Sequence, residues 1–197
     1  MIYIGFLASH GGSNMQAIID AIKAGKLEAK PCAVISNNSG SMALQRAKKE
    51  DIPAFHVSEK SLGSADAVND EIIRLFSEFG VDTIVLAGYM KMLSDKVLSR
   101  FNGRVLNIHP ALLPKFGGKG MYGHFVHEAV IAAGETESGP TVHLVDNQYD
   151  RGRILAQKKV PVFPQDTPEL LAERVLIQEH IIYPETLQKI SKGEIKL

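Results

Sequence analysis

A doubly wound α/β sheet, mostly parallel and finished by an antiparallel strand pair in its C-terminal part, is the fold class this sequence predicts. Three observations carry it. Short apolar segments of strand length alternate with segments of helical period through residue 109. The short segments are largely β-branched and apolar throughout, as strands buried on both faces of a parallel sheet are. Beyond residue 109 the alternation gives way to two strand-like segments joined by a polar loop.

Taken in order, Ile2–Ala8 reads as the first strand. Ser13 and Asn14 then stand where a cap is needed, before Met15, Ile18, Ile19 and Ile22 at helical spacing, with Gly25 as the stop. Cys32–Ser36 is a second strand, Ser41–Glu50 a second helix and Pro53–His56 a short strand. Val68, Ile72, Leu75, Phe76 and Phe79 mark a third helix ended by Gly80, and Thr83–Ala87 is a further buried strand. Arg104–His109 is a strand stopped by Pro110, followed by a Gly-rich loop over Pro114–Gly123 and a helix around Phe125–Ala133. Thr141–Val145 and Ile154–Val160 form the strand pair, and Asp166-Thr-Pro-Glu169 starts a C-terminal helix with a cap, a proline at the first helical position and an acidic first turn. No Pro-, Gly- or Ser-rich linker divides the chain. One domain over 1–197 is expected, with a nucleotide-binding-like half at 1–103 and a second half at 104–197 that builds the site.

Composition narrows the function. The 197 residues are 45% hydrophobic and carry 22 basic and 22 acidic side chains. A neutral chain has no global field to gather nucleic acid or an anionic bilayer, so neither is an expected partner and anion binding needs a local site. The single cysteine, Cys32, lies in an apolar stretch and reads as an inert buried thiol. The N-terminus lacks a basic start followed by a long apolar segment, and no apolar run approaches the ~20 residues of a membrane span. A soluble cytoplasmic protein is expected.

Few segments reach chemistry. Ser9-His-Gly-Gly-Ser-Asn14 lies between a strand and a helix, where backbone amides with Ser13 and Asn14 can hold a phosphate, or where a capped turn binds nothing. It is not G-x-G-x-x-G, and Ser36-Asn-Asn38 ends the second strand where a dinucleotide site needs an acid, so a dinucleotide cofactor is disfavoured. Gly117-Gly-Lys-Gly120 has glycine where a Walker loop needs Ser or Thr, which leaves a flexible loop over a site. Asn107 and His109 sit two apart in a strand and so share a face near its carboxyl end, where open α/β sheets bind ligands. An amide donor beside an imidazole can stabilise an oxyanion and move a proton; a lone strand-end histidine is more often structural, and the paired spacing brings the two readings level. Asp150, in the loop after Asp146, reads by itself as a turn residue. It gains a role only if the loop folds over His109. His124, His127 and Glu128 do not have H-E-x-x-H spacing and no cysteine supplements them, so no metal is predicted.

Together these segments resemble the phosphoribosylglycinamide formyltransferase family, folate-dependent enzymes of purine synthesis with a Rossmann-like fold. The matching pieces are Ser9–Asn14, Leu86-Ala-Gly-Tyr-Met-Lys-Met-Leu-Ser94, Asn107-Ile-His-Pro-Ala-Leu-Leu-Pro-Lys-Phe116, Thr141-Val-His-Leu-Val-Asp146 with Asp150, and Gln178-Glu-His180. They run in family order along nearly the whole chain. Asn-x-His-Pro-x-Leu-Leu-Pro is the most specific. The resemblance implies that 10-formyltetrahydrofolate, a co-substrate, gives its formyl group to the amine of glycinamide ribonucleotide without a metal, in a monomer or homodimer. It implies Asn107, His109 and Asp150 as the catalytic trio, with Asn107 and His109 stabilising a tetrahedral intermediate and Asp150 assisting proton transfer, and Gly12, Ser13, Asn14 and Glu179 as substrate contacts. Met90, Lys91, Met92, Leu93, Val145 and Asp146 would face the folate. His143 matches a family histidine close to the site. Lys91 stands where arginine is common, and His10-Gly11-Gly12 where the family usually has Gly-x-Gly. Longer relatives that hydrolyse formyl-folate or formylate tRNA or sugar nucleotides, and a non-catalytic nucleotide-binding regulator, are the competing readings.

Overall fold

The computed structural model describes residues 1–197. In chain order the elements are β1 (Ile2–Ala8), α1 (Ser13–Lys23), β2 (Ala29–Ser36), α2 (Met42–Lys49), β3 (Ala54–His56), α3 (Glu59–Leu62), α4 (Ala65–Glu78), β4 (Thr83–Leu86) and α5 (Asp95–Arg100). There follow β5 (Val105–His109), α6 (His124–Ala132), β6 (Glu137–Ser138), β7 (Thr141–Leu144), β8 (Ile154–Gln157), β9 (Val160–Pro161) and α7 (Pro168–Ser191). Seven strands form one sheet in the order β3-β2-β1-β4-β5-β7-β8. The first five are mutually parallel, and β7 and β8 add antiparallel at the β5 edge. The predicted mixed α/β architecture is observed.

Both faces of the sheet are covered, which is why its strands lack alternation. One face packs Ile4, Phe6 and Leu106 with Met15, Ile18 and Ile19 of α1, Ala43 and Ala47 of α2, and Tyr183 and Leu187 of α7. The other packs Leu7, Ile35 and Ile84 with Ile72, Leu75 and Phe76 of α4 and Val97 of α5. Strand order reverses between β1 and β4, so the connections leaving their carboxyl ends diverge and open a crevice there. Pairing of β4 with β5 ends at Val85↔Leu106. The buried Tyr183 hydroxyl spans the separation, donating toward Leu86 O at 3.2 Å and Leu106 O at 3.0 Å.

Several local expectations are corrected. Helix α1 has Gly12, not Ser13 or Asn14, at its N-cap, and no side chain caps it. Gly12 holds φ 65°, and a Cβ there would lie 2.9 Å from the Ala43 Cβ. Only glycine fits this turn, and the first helical amides stay open. The segments α3 and α5 carry cap signals at Ser58 and Ser94 but are too short to show a helical period. The segment Ile154–Val160 is not one strand. It breaks after Gln157, and Val160 pairs with Ser138 in a separate two-stranded sheet. The C-terminal helix is capped by Thr167, one residue after Asp166, and Asp166 instead pairs with Arg174 at 2.6 Å.

The β7–β8 connection is tightly constrained at Gly152, where a Cβ would stand 1.7 Å from Leu144 O. That obstacle is backbone and cannot rotate away. Gly152→Ala is therefore expected to destabilise the fold by about 3 kcal/mol, read as a lowered urea midpoint at unchanged slope. An unchanged midpoint would show that the connection reshapes freely.

Candidate active site

The crevice at the strand-order reversal is a cavity of about 1110 Å³. That exceeds the ~300–1,000 Å³ of an ordinary single-ligand pocket and gives room for two ligands side by side. Its floor is the carboxyl end of β5, with Asn107, Ile108, His109 and Pro110. One wall is His10–Asn14 leading into α1, and a second is Ala87–Lys91 after β4. A third is a face of α7 with Glu169, Ala172, Glu173, Leu176 and Glu179, and the Gly118–Gly123 loop and the start of α6 complete the rim.

Ser9 ties the first two walls together. Its amide donates to Gly88 O at 3.0 Å, its hydroxyl donates to Asn37 Oδ1 at 2.6 Å, and the same oxygen accepts from Met90 N at 2.8 Å. Arg46 Nε donates to Gly11 O at 3.0 Å, fixing the glycine turn from outside. The uncapped amides at the start of α1 make this turn a ready anion site. Beside it, Asn14 Nδ2 donates to Glu179 Oε2 at 2.6 Å, and burial raises the Glu179 pKa against the opposing effect of that bond.

On the floor the tautomers follow from bonding. His143 Nδ1 lies 2.8 Å from Leu144 O, which only accepts, so Nδ1 carries a proton. In the neutral ring Nε2 is then bare, and it accepts from Asn107 Nδ2 at 3.2 Å. The two residues are cross-strand partners, Asn107↔His143, in the β5–β7 ladder. The bond orients the Asn107 amide so that its second N–H is left for another acceptor. By the same reasoning His109 Nε2 donates to Phe116 O at 2.8 Å, and its Nδ1 lies 3.5 Å from Asp150 Oδ2. Burial lowers the His109 pKa, and the Asp150 charge only partly opposes this. Asp150 sits at φ 57° in the β7–β8 connection, with Oδ2 accepting from Gly118 N at 2.9 Å and Oδ1 3.6 Å from His143 Nε2. The glycine loop thus meets the carboxylate with its backbone.

Asn107, His109 and Asp150 do come together, and Gly12, Ser13, Asn14, Glu179, Met90 and Lys91 line the same cavity. Met92, Leu93, Val145 and Asp146 do not line it. Leu93 is buried and Val145 partly buried against the core on the α4 side of the sheet, Asp146 Oδ1 accepts from Gln148 N at 2.9 Å, and Met92 is half exposed. Spacing could not reveal that the chain turns away from the crevice after Lys91. His124, read with Glu128 for its spacing, bonds that residue across one helical turn at 2.8 Å, while His127 faces the cavity. Tyr149, which carried no signal of its own, also reaches the wall, as does Lys119 of the Gly117–Gly120 loop.

Buried histidines dominate the acid behaviour. Burial, aided by neighbouring His124 and His109, pushes His127 down to about 4, and burial also lowers His109 and His143. Below the ordinary value near 6.5 the unfolded chain binds protons that the folded chain refuses, so stability is present above that pH and falls as pH drops. His127 alone accounts for roughly 3 kcal/mol lost by pH 4. Urea unfolding at successive pH values should show this loss, and His127→Leu should flatten it.

Residues 3–187 match the Formyl transferase family. The chain belongs to that family. Within it, a phosphoribosylglycinamide formyltransferase of Haemophilus influenzae is 41% identical over 194 residues, covering 98% of this chain and 89% of that one. The chloroplastic phosphoribosylglycinamide formyltransferase of Arabidopsis thaliana is 39% identical over 194 residues. That match takes in 98% of this chain, which spans 66% of the plant protein's length. Glycinamide ribonucleotide transformylase 1 of Symbiobacterium toebii has the same fold, with a TM-score of 0.93, 36% identity, and coverage of 100% of this chain and 91% of that one. This formyl transferase has no helix long and apolar enough to cross a membrane.

Proposed function

We propose that this formyl transferase moves the formyl group of 10-formyltetrahydrofolate to the amine of glycinamide ribonucleotide, a step of purine synthesis. The observation that supports it most is a single cavity holding Asn107, His109 and Asp150 between an anion-ready glycine turn and the Met90–Lys91 wall. A phosphorylated acceptor fits the turn, with Ser13 and Asn14 at its phosphate and Glu179 at its ribose or amine. The folate fits beside Met90 and Lys91.

The neutral amine attacks the formyl carbon and the carbonyl electron pair moves to oxygen. Asn107 donates its second Nδ2–H to that oxyanion, a contribution of about 3–4 kcal/mol. His109 enters differently from an amide donor, because its Nε2–H is committed to Phe116 O. Its Nδ1 is the free basic atom. It takes the proton from the attacking nitrogen, directly or through water, and Asp150 stabilises the imidazolium that results. Collapse breaks the bond between the formyl carbon and the folate nitrogen, which leaves with the electron pair and receives that proton. The balance is N-formylated acceptor plus tetrahydrofolate.

Incubating the enzyme with 10-formyltetrahydrofolate, with and without glycinamide ribonucleotide, tests this reading. Tetrahydrofolate formation only when the acceptor is present is expected. Formate release without acceptor would assign a hydrolase instead, and no turnover in either mixture would remove the proposed substrates.

A further inference from the structure

The mechanism above leaves His127 unused, although it stands in the cavity wall. It lies in the first turn of α6 and is 4% exposed, with its Nδ1 sealed from solvent and without a hydrogen-bond partner. A buried structural histidine ordinarily bonds within the protein, and a ring held only by packing is the exception. The ring is neutral, since burial and its histidine neighbours push it down to about 4. A neutral ring has one proton to place. An orphaned buried N–H is rarer than an under-satisfied acceptor, so Nδ1 stays bare and Nε2 carries the proton. The residue therefore offers the cavity a donor that does not titrate under physiological conditions.

Its place in the fold says which ligand it meets. Helix α6 packs on α7. The cavity face of α7 runs from Glu169 through Glu173 and Leu176 to Glu179, which is bonded to Asn14 at the glycine turn. The surface formed by α6, α7 and the start of α1 is thus continuous and leads to the anion-ready turn. The wall assigned to the folate belongs to the β4 connection.

We propose that His127 is a binding residue for the phosphorylated acceptor, donating its Nε2–H to an uncharged oxygen of the ribonucleotide. This rests on the transferase reading given above.

Steady-state kinetics of full-length His127→Leu and His127→Gln, with calorimetric titration of glycinamide ribonucleotide, test the assignment. Leucine fills the space without a donor, whereas glutamine returns an N–H near the position of Nε2. His127→Leu is expected to raise KM and Kd for the acceptor about tenfold, the size of one ordinary hydrogen bond, with the folate KM within about twofold of wild type. His127→Gln is expected to recover most of the acceptor affinity. Loss of both affinities together, a rise confined to the folate, or equal behaviour of the two variants would overturn the proposal. Should the leucine variant not fold, His127→Met serves as the donor-free partner of His127→Gln. Wild-type turnover that His127→Leu leaves untouched removes this inference alone. A wild-type enzyme that does not use the acceptor removes the transferase reading, and this inference with it.

Discussion

Asp150→Asn is expected to lower kcat by about 10²–10⁴-fold while acceptor and folate binding stay measurable. The substitution is nearly isosteric, and the asparagine oxygen can still accept from Gly118 N, so the loop contact seen at 2.9 Å survives. What disappears is the negative charge 3.5 Å from His109 Nδ1. At that separation the attraction to an imidazolium is about 5 kcal/mol at an effective dielectric constant near 20, enough for roughly three to four orders of magnitude in rate. The pH profile separates this from misfolding. Asp150 is the largest influence raising the His109 pKa against burial, so its removal lowers that pKa further. The acid limb of kcat/KM should lie below the ordinary histidine value near 6.5 in the wild type and move to still lower pH in the variant, on a reduced plateau. A folded variant with near-normal kcat would remove Asp150 from the mechanism.

The parts of this site differ in how far local sequence rules reach them. Asn107 and His109 are legible because a strand has period two and Pro110 marks its end. Both line the cavity at that end, and the intervening Ile108, which packs into the core on the α7 side, reaches its floor as well. The sheet was legible for a similar reason: strands buried on both faces lose alternation, and Ile2–Ala8 runs as one apolar segment to the residue observed. Asp150 was out of reach of spacing. It is brought to His109 by a positive-φ turn and by a glycine loop whose residues 117 and 118 approach without side chains, and a Cβ on Gly117 would come within 3.1 Å of the Asp150 Cβ. His143 depends on register. Nothing local pairs residue 143 with residue 107 until the antiparallel ladder is known. His127 shows the opposite difficulty, for a single helical histidine has no spacing signal, and its meaning comes from the missing partner of one buried atom.

That register leads to the second large effect. Asn107→Ala is expected to lower kcat by about 10²–10³-fold, the usual cost of one oxyanion donor, with little change in either KM. Its amide is held from one side only, by the bare Nε2 of His143 at 3.2 Å. His143→Ala should therefore act mainly by letting the amide rotate, with a smaller loss of about tenfold, since the donor remains but spends less time aimed at the oxyanion. The double variant decides between two roles for His143. If it works through Asn107, removing it from an enzyme that already lacks the amide costs almost nothing more, and the double variant matches Asn107→Ala. If its main effect is on Asp150, whose Oδ1 is 3.6 Å from the same Nε2, the two losses multiply. Because Nδ1–H is anchored to Leu144 O at 2.8 Å, the ring cannot turn that protonated nitrogen to the carboxylate without breaking the bond. In the neutral ring Nε2 brings a lone pair, not a proton, toward Asp150, so the coupling to Asn107 is expected to dominate.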